Sequence, residues 1–489
     1  MKKKLAALGL AVSMMAGSVM PVYADVKVEG VSTADTSHTG DISAPAGESA
    51  LEVSEGDSFT QKGEVEKSDS DGVAVEVRDE GSKAEVEGNV KSEGNGVQVL
   101  EGSADVKGDI SAKDNAVVNI DGDVTVDGNI ENTEPDMDTV TNVEGTVSVE
   151  GNITGSGTAV MNIGGEVTVK GDITSDNPSS PTKATESSNQ VEGIFNTDGG
   201  KVTVEGNVTT TGKGTDAVYN EESGEVTING DVKSSDRFAI GAWSESKTTV
   251  NGNVTGEGTG VFSDYTANVE IKGDLTADKD GVVVQLWDWK NHSDVKKDNK
   301  GSIVVDGTIR SGSGSDAIVV KDGNANTAHS KETILEVLPD IVVYEIQTTG
   351  GGSTGGYNED KNPTKTQSEI DDIKKAVAKQ INYIIRTEKN DNASMDLQGT
   401  RKISGYDTAR MDESIVVRVN TASGYEVSGV SGGKAIAVKN ADGSWTLTVP
   451  DGGGVDINVA LQQIAQAEQK KEEVVTINPN NGQSAKAEW

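Results

Sequence analysis

One phrase recurs along most of this chain and limits what it can fold into: Val or Ile alternating with polar residues, then Gly, then Asn or Asp, then one Val, Ile or Leu. It appears as AEVEGNV ending at Val90, ADVKGDI at Ile110, VTVDGNI at Ile130, VSVEGNI at Ile153 and VTVKGDI at Ile173. Further copies are VTVEGNV at Val208, VTINGDV at Val232, TTVNGNV at Val254, VEIKGDL at Leu275 and IVVDGTI at Ile309. From Gly88 to Gly307 the anchoring glycines are spaced by 20, 20, 23, 20, 35, 24, 22, 21 and 34 residues, with weaker copies at Gly40 and Gly63. A unit this short cannot bury an apolar face alone, but stacked units share a continuous core and pair their backbones with the units above and below.

Between anchors a second apolar phrase recurs, among its forms GVQVL, AVVNI, AVMNI, AVYN and AIVV. Each unit is therefore read as two period-2 strands separated by Gly, Ser, Thr and Asp turns. The predicted fold is all-β: a parallel β-helix, or solenoid, of about 20–25 residues per coil, followed by a small β-sandwich-like domain. Right-handed crossover is the default for parallel strands. The two long spacings mark insertions, one including Asp176 to Pro181 and the other running from Trp287 to Lys300.

The repeat resembles the right-handed parallel β-helices of bacterial surface proteins and polysaccharide-active enzymes, over roughly residues 30–320. The resemblance implies architecture rather than activity.

The first 24 residues read as a secretory signal: Lys2, Lys3 and Lys4, an apolar run from Leu5 to Met20, and small residues at the cleavage positions of Val22-Tyr23-Ala24. The apolar run is short for a membrane span. Cleavage after Ala24 takes the net charge from −37 to −40, because three lysines and no acid leave. Such a field repels nucleic acid and anionic membranes. With no cysteine in the chain, stability must come from packing rather than disulfides.

The organisation expected is a signal peptide over 1–24, a β-helix over 25–346, a Gly/Ser/Thr-rich linker over 347–367, a helix plus small β domain over 368–461, and a polar helix with a disordered tail over 462–489. Ile370, Ile373, Val377 and Ile381 fall on one helical face. Beyond them, the run from Gly424 to Val430 and the run from Asp442 to Pro450 resemble modules appended to bacterial surface proteins, with Trp445 where an aromatic is usual. That resemblance covers about residues 383–460 and implies a structural or adhesive role.

The Asn and Asp residues that follow the anchor glycines, from Asn89 to Asp274, read as turn formers that hydrogen-bond along the rod. Asp69 to Gly72 and Asp278 to Gly281 lack the first ligand and final Glu of an EF-hand loop, so no metal or cofactor site is expected beyond weak surface calcium. The three histidines are scattered and no catalytic constellation appears.

Aromatic residues are few, which makes their placement informative. Tyr219, Trp243 and Tyr265 each follow an anchor glycine by 13 residues and Trp287 by 14, with Phe262 and Trp289 close by. These six form the candidate ligand-binding ladder, repeating at coil spacing, on which sugar rings or a peptide would stack. The function expected is an exported cell-surface or extracellular scaffold of adhesin type, with a glycan or a host or cell-surface protein as partner. A polysaccharide lyase or glycoside hydrolase and a passive spacer are the alternatives.

Overall fold

The structure is a computed structural model that describes residues 27–28, 36–44, 48–135, 137–177, 191–287, 295–322, 328–359 and 364–464. The signal read over 1–24, most of the first insertion, Trp289 and the tail from 465 lie outside the described residues.

The repeat builds a parallel β-solenoid with three strands per coil, not the two expected from the sequence. One coil consists of Ser103–Val106, Ile110–Ala112 and Val117–Ile120. These pair in parallel with Asp123–Val126, Ile130–Asn132 and Val140–Val143 of the next coil. The anchor phrase is split by its own Gly-Asn: the residue after the bend begins a second, short strand. Thirteen third strands form one sheet, which Lys27–Val28 joins antiparallel at its edge; the first and second belong to one continuous sheet that also takes in C-terminal strands.

The core follows from the alternation. On the third face Val97, Val117, Val140, Val160, Ile194 and Val218 stand in one register column, and each is completely buried. Burying a side chain of this kind contributes about 1.5–3 kcal/mol, and the column gains one such contribution per coil.

The anchor glycines are required by the closeness of stacking. A Cβ on Gly108 would lie 2.5 Å from the Gly88 carbonyl oxygen and 2.5 Å from Asn89 Oδ1. The side chain after each glycine stitches the coils together. Asn89 Oδ1 accepts from the Asp109 N–H at 2.9 Å, Asp109 Oδ1 from Asn129 at 2.7 Å, and Asn129 Oδ1 from Asn152 at 2.9 Å. The series runs on to Asp274, which accepts from Thr308 at 2.8 Å.

A second ladder lies inside. Asn119, Asn142, Asn162, Asn196 and Asn220 are fully buried, and each donates its side-chain N–H to the Oδ1 of the next at 2.8, 2.8, 2.8 and 3.0 Å. Every one also donates to a glycine carbonyl of its own coil at 2.8–3.0 Å. Buried amides are tolerated here because nearly all their polar atoms are partnered; of the five, only Asn119, at the start of the ladder, has an Oδ1 that accepts no bond.

The segment 347–367, expected as a linker, contributes a solenoid strand. Gly355–Glu359 pairs in parallel with Ile318–Asp322. Helix α1 (Lys331–Val337) precedes it, and helix α2 (Gln367–Ala378) follows, opened by a capping box between Thr366 and Glu369. Helix α2 buries Ile373 and Val377 against this last coil, so closely that a Cβ on Gly355 would sit 2.5 Å from the Ala378 nitrogen. Asn382–Thr387 then pairs in parallel with Asp340–Gln347 and antiparallel with Tyr406–Arg410, which turns the solenoid into the small antiparallel domain. There a four-stranded sheet has the order Ala393–Gln398, Ser414–Thr421, Trp445–Thr448, Ala437–Lys439. The strand Val455–Gln463 carries two residues past the predicted start of the polar helix at 462. Among the described residues no helix is long and apolar enough to cross a membrane.

Candidate functional site

On the outer side of the third face, one register column reads Met161, Phe195, Tyr219, Gly241, Phe262 and Val283. The gap at Gly241 is filled from two residues along the chain. A Cβ on Gly241 would collide with the indole of Trp243, so the absence of a side chain lets that ring lie over the strand. The result is a continuous run of rings: Phe195 stacks on Tyr219 at 5.3 Å between centroids and Tyr219 on Trp243 at 4.2 Å, while Trp243 meets Phe262 tilted, at 6.1 Å. Phe238 closes on Phe262 from the corner of the coil at 4.7 Å.

Of the six residues expected to form the ladder, the structure brings together Tyr219, Trp243 and Phe262. Tyr265 is drawn into the core with no exposed surface, its hydroxyl accepting from the Lys296 N–H at 2.9 Å. It lies one residue past Asp264, which is in register with Gln285, and so has inward parity. Trp287 lies just past the strand Val282–Leu286, half-buried, and among the described residues it joins no ring pair. Trp289 lies outside the described residues. Counting from glycines missed Phe195 and Phe238. The recurring buried Asn is the better ruler, since it puts Phe195 and Tyr219 in the same place, immediately before Asn196 and Asn220.

The stack is rimmed by charge. Arg237 sits 4.8 Å over the Phe238 ring and binds Asp216 at 3.1 Å; Lys321 lies 5.8 Å from the Phe262 centroid. The Tyr219 hydroxyl donates to Glu221 at 3.2 Å. Burial, reinforced by Glu221, Glu192 and Asp216, pushes the Tyr219 phenol well above its usual range. At the coil corner Thr158 donates to Glu192 at 3.1 Å. Burial, with the Glu192 charge beside it, pushes Asp138 up to about 7.

What this arrangement can do is limited by how its rings face. They stack on one another along the rod, and Phe195 and Trp243 keep only 2% and 7% of their surface exposed. A ligand would meet ring edges at the half-exposed Tyr219, Phe238 and Phe262, not open faces. Ring edges carry the positive end of the aromatic quadrupole and, with Arg237 and Lys321, favour electron-rich oxygen.

Two other polar features stand apart from the stack. A groove of about 440 Å³ runs along the outer ladder past Asn89, Lys91, Asp109, Ser111, Asn129 and Glu131. Near the C-terminal end, Asp322 accepts from His329 and from the Tyr357 hydroxyl at 2.6 Å; burial would raise this carboxyl, but those bonds hold it below its usual range. Among the described residues no group of three or more acidic or histidine side chains is arranged to hold a metal ion.

No family model, no curated protein and no solved structure matches this chain.

Proposed function

We propose that the protein is an exported scaffold of the cell surface or extracellular space, a stiff acidic rod that carries its C-terminal domain away from its N-terminal end. The observation that carries this reading is unbroken parallel pairing on the third face, from Leu51–Val53 to Gly355–Glu359. Twelve steps between the thirteen strands of this run, at about 4.8 Å each, make a rod of roughly 58 Å. The lysine-led apolar start of the sequence supports export. Fractionation of the producing cells, with antibody labelling of intact cells, tests the reading. Protein at the surface or in the medium agrees with it, and full-length protein held inside with residues 1–24 uncleaved overturns it.

A finer reading is glycan binding at the ring cluster, supported by the half-exposed Tyr219, Phe238 and Phe262 beside Arg237 and Lys321. A glycan array probed with the mature chain, with and without calcium, should give selective retention that Tyr219→Ser with Phe262→Ser removes while the circular dichroism spectrum holds. A blank array, or retention unchanged in the double variant, rejects this site.

A further inference from the structure

Among the described residues, the four-stranded sheet of the C-terminal domain has one face with no cover. Its inner face carries Ile415, Val417 and Leu447, all buried in the core. Its outer face holds two of the three large hydrophobic side chains that stand exposed among the described residues, Ile436 at 79% and Val438 at 58%. The strand Ala437–Lys439 is the edge of this sheet, and its alternation is inverted: Ala435 points inward while the larger Ile436 and Val438 point to solvent.

The inversion belongs to a wider pattern. A row in register crosses all four strands through Gln398, Val416, Thr446 and Val438. The adjoining outer positions Ser414 and Thr448, paired with each other, are also uncharged. The nearest charges on this face are Asp396 and Arg418, opposite one another across two strands, with Arg418 also 3.3 Å from Asp442. Residues 382–464 hold eight Lys and Arg against ten Asp and Glu, in a chain whose net charge is −37. This row and the neighbouring Ser414–Thr448 pair, free of ionisable groups, therefore lie in the near-neutral domain.

We infer that this face is covered by the same face of a second copy of the chain. In a two-fold contact each patch meets itself, so a surface bearing one sign of charge repels its own copy. A strongly acidic chain can close such a contact only through an uncharged patch. The charge-free row meets that condition, and Ile436 and Val438 supply apolar surface to bury. Two rods joined this way would meet through their C-terminal domains.

The test uses the mature chain, Asp25 to Trp489, with its mass in solution measured over a range of concentrations and salt. The expected result is a dimer that tightens as salt rises, because screening relieves repulsion between the acidic rods while apolar contact persists. Ile436→Lys with Val438→Lys should raise the dimer Kd about a hundredfold without moving the melting transition of the monomer, measured at concentrations well below the dimer Kd, since both positions are exposed. The chain has no cysteine, so a spin label on Thr448→Cys reports directly, and a short, well-defined distance between copies is expected. A monomer at every concentration overturns the inference, whatever other protein binds the face. So does a dimer that survives the lysine pair, or one that weakens with salt.

Discussion

Replacing Asn162 with Val tests how the buried ladder works. Asn162 accepts from Asn142, donates to Asn196 Oδ1, and donates to the Gly165 carbonyl, all at 2.8 Å. Gly165 O also takes the Lys201 N–H at 2.8 Å, and Asn142 retains its bond to Gly145 O at 2.9 Å. The substitution therefore strands the Asn196 oxygen and leaves one Asn142 N–H with only a longer contact to the Glu166 carbonyl at 3.3 Å. At about 1–3 kcal/mol for a stranded buried group, and at most that for the weakened one, the cost is about 1–6 kcal/mol. Replacing all five asparagines with Val removes donors and acceptors together. The third-face positions Val99 and Val284, in line with the ladder, already hold valine. The carbonyls of Gly122, Gly145, Gly165, Gly200 and Gly224 each keep a backbone N–H partner at 2.8–2.9 Å. The fivefold variant should thus lose about as much stability as the single one, not five times as much. Urea unfolding followed by far-ultraviolet circular dichroism measures the total. Hydrogen exchange over residues 140–220 shows whether the opening is local, as nearest-neighbour coils predict. Losses that add across the five sites would refute the argument that stranded groups set the cost.

Three further outcomes follow from particular contacts. Gly108→Ala drives a methyl against the Gly88 carbonyl and Asn89 Oδ1 and should destabilise by about 1–3 kcal/mol in the same urea assay, whereas Gly199→Ala, which meets nothing within 4 Å, carries only the strain of its positive φ. Gly241→Ala should expel the Trp243 indole and abolish the near-ultraviolet dichroism of the Tyr219–Trp243 pair; an unchanged spectrum would show that the ring does not lie over Gly241. Asp138 has its carboxyl raised from 3.8 to about 7, so the folded state keeps a proton that the unfolded chain has lost, and stability falls as pH rises through that window. Asp138→Asn should flatten that slope and gain up to about 4 kcal/mol at pH 8; an unaltered pH profile would count against an enclosed carboxyl.

The legible parts of the fold were those that repeat with the side chain the environment demands. Val and Ile alternate where they face the core, and Gly-Asn recurs where coils stack too closely for a Cβ, so both the solenoid and the outer ladder could be read from residues alone. The second strand of each coil was missed because Ile110–Ala112 and its equivalents are short, Ile110–Ala112 itself only three residues, too short for alternation to register. The inner ladder was missed for a different reason: asparagine is polar and reads as solvent-facing, although its position two residues after Val117, Val140, Val160, Ile194 and Val218 gives it inward parity. The Gly-rich segment around Gly355 looked like a linker because glycine usually marks freedom; here it marks a backbone pressed against helix α2. For the ring cluster, spacing identified the right coils, but Trp243 reaches its place only by folding back over a glycine, which no count of residues foretells.

The in-register stacking of units also makes length an independent variable of this molecule. Gly88, Gly108 and Gly128 are separated by 20 residues each, and the side chains that meet across one coil boundary meet again in kind across the next. Excising one such unit would bring like against like and leave both ends of the rod as they were, shorter by about 4.8 Å. The length of the rod is therefore graduated in coils, one step for each repeat of the anchor phrase.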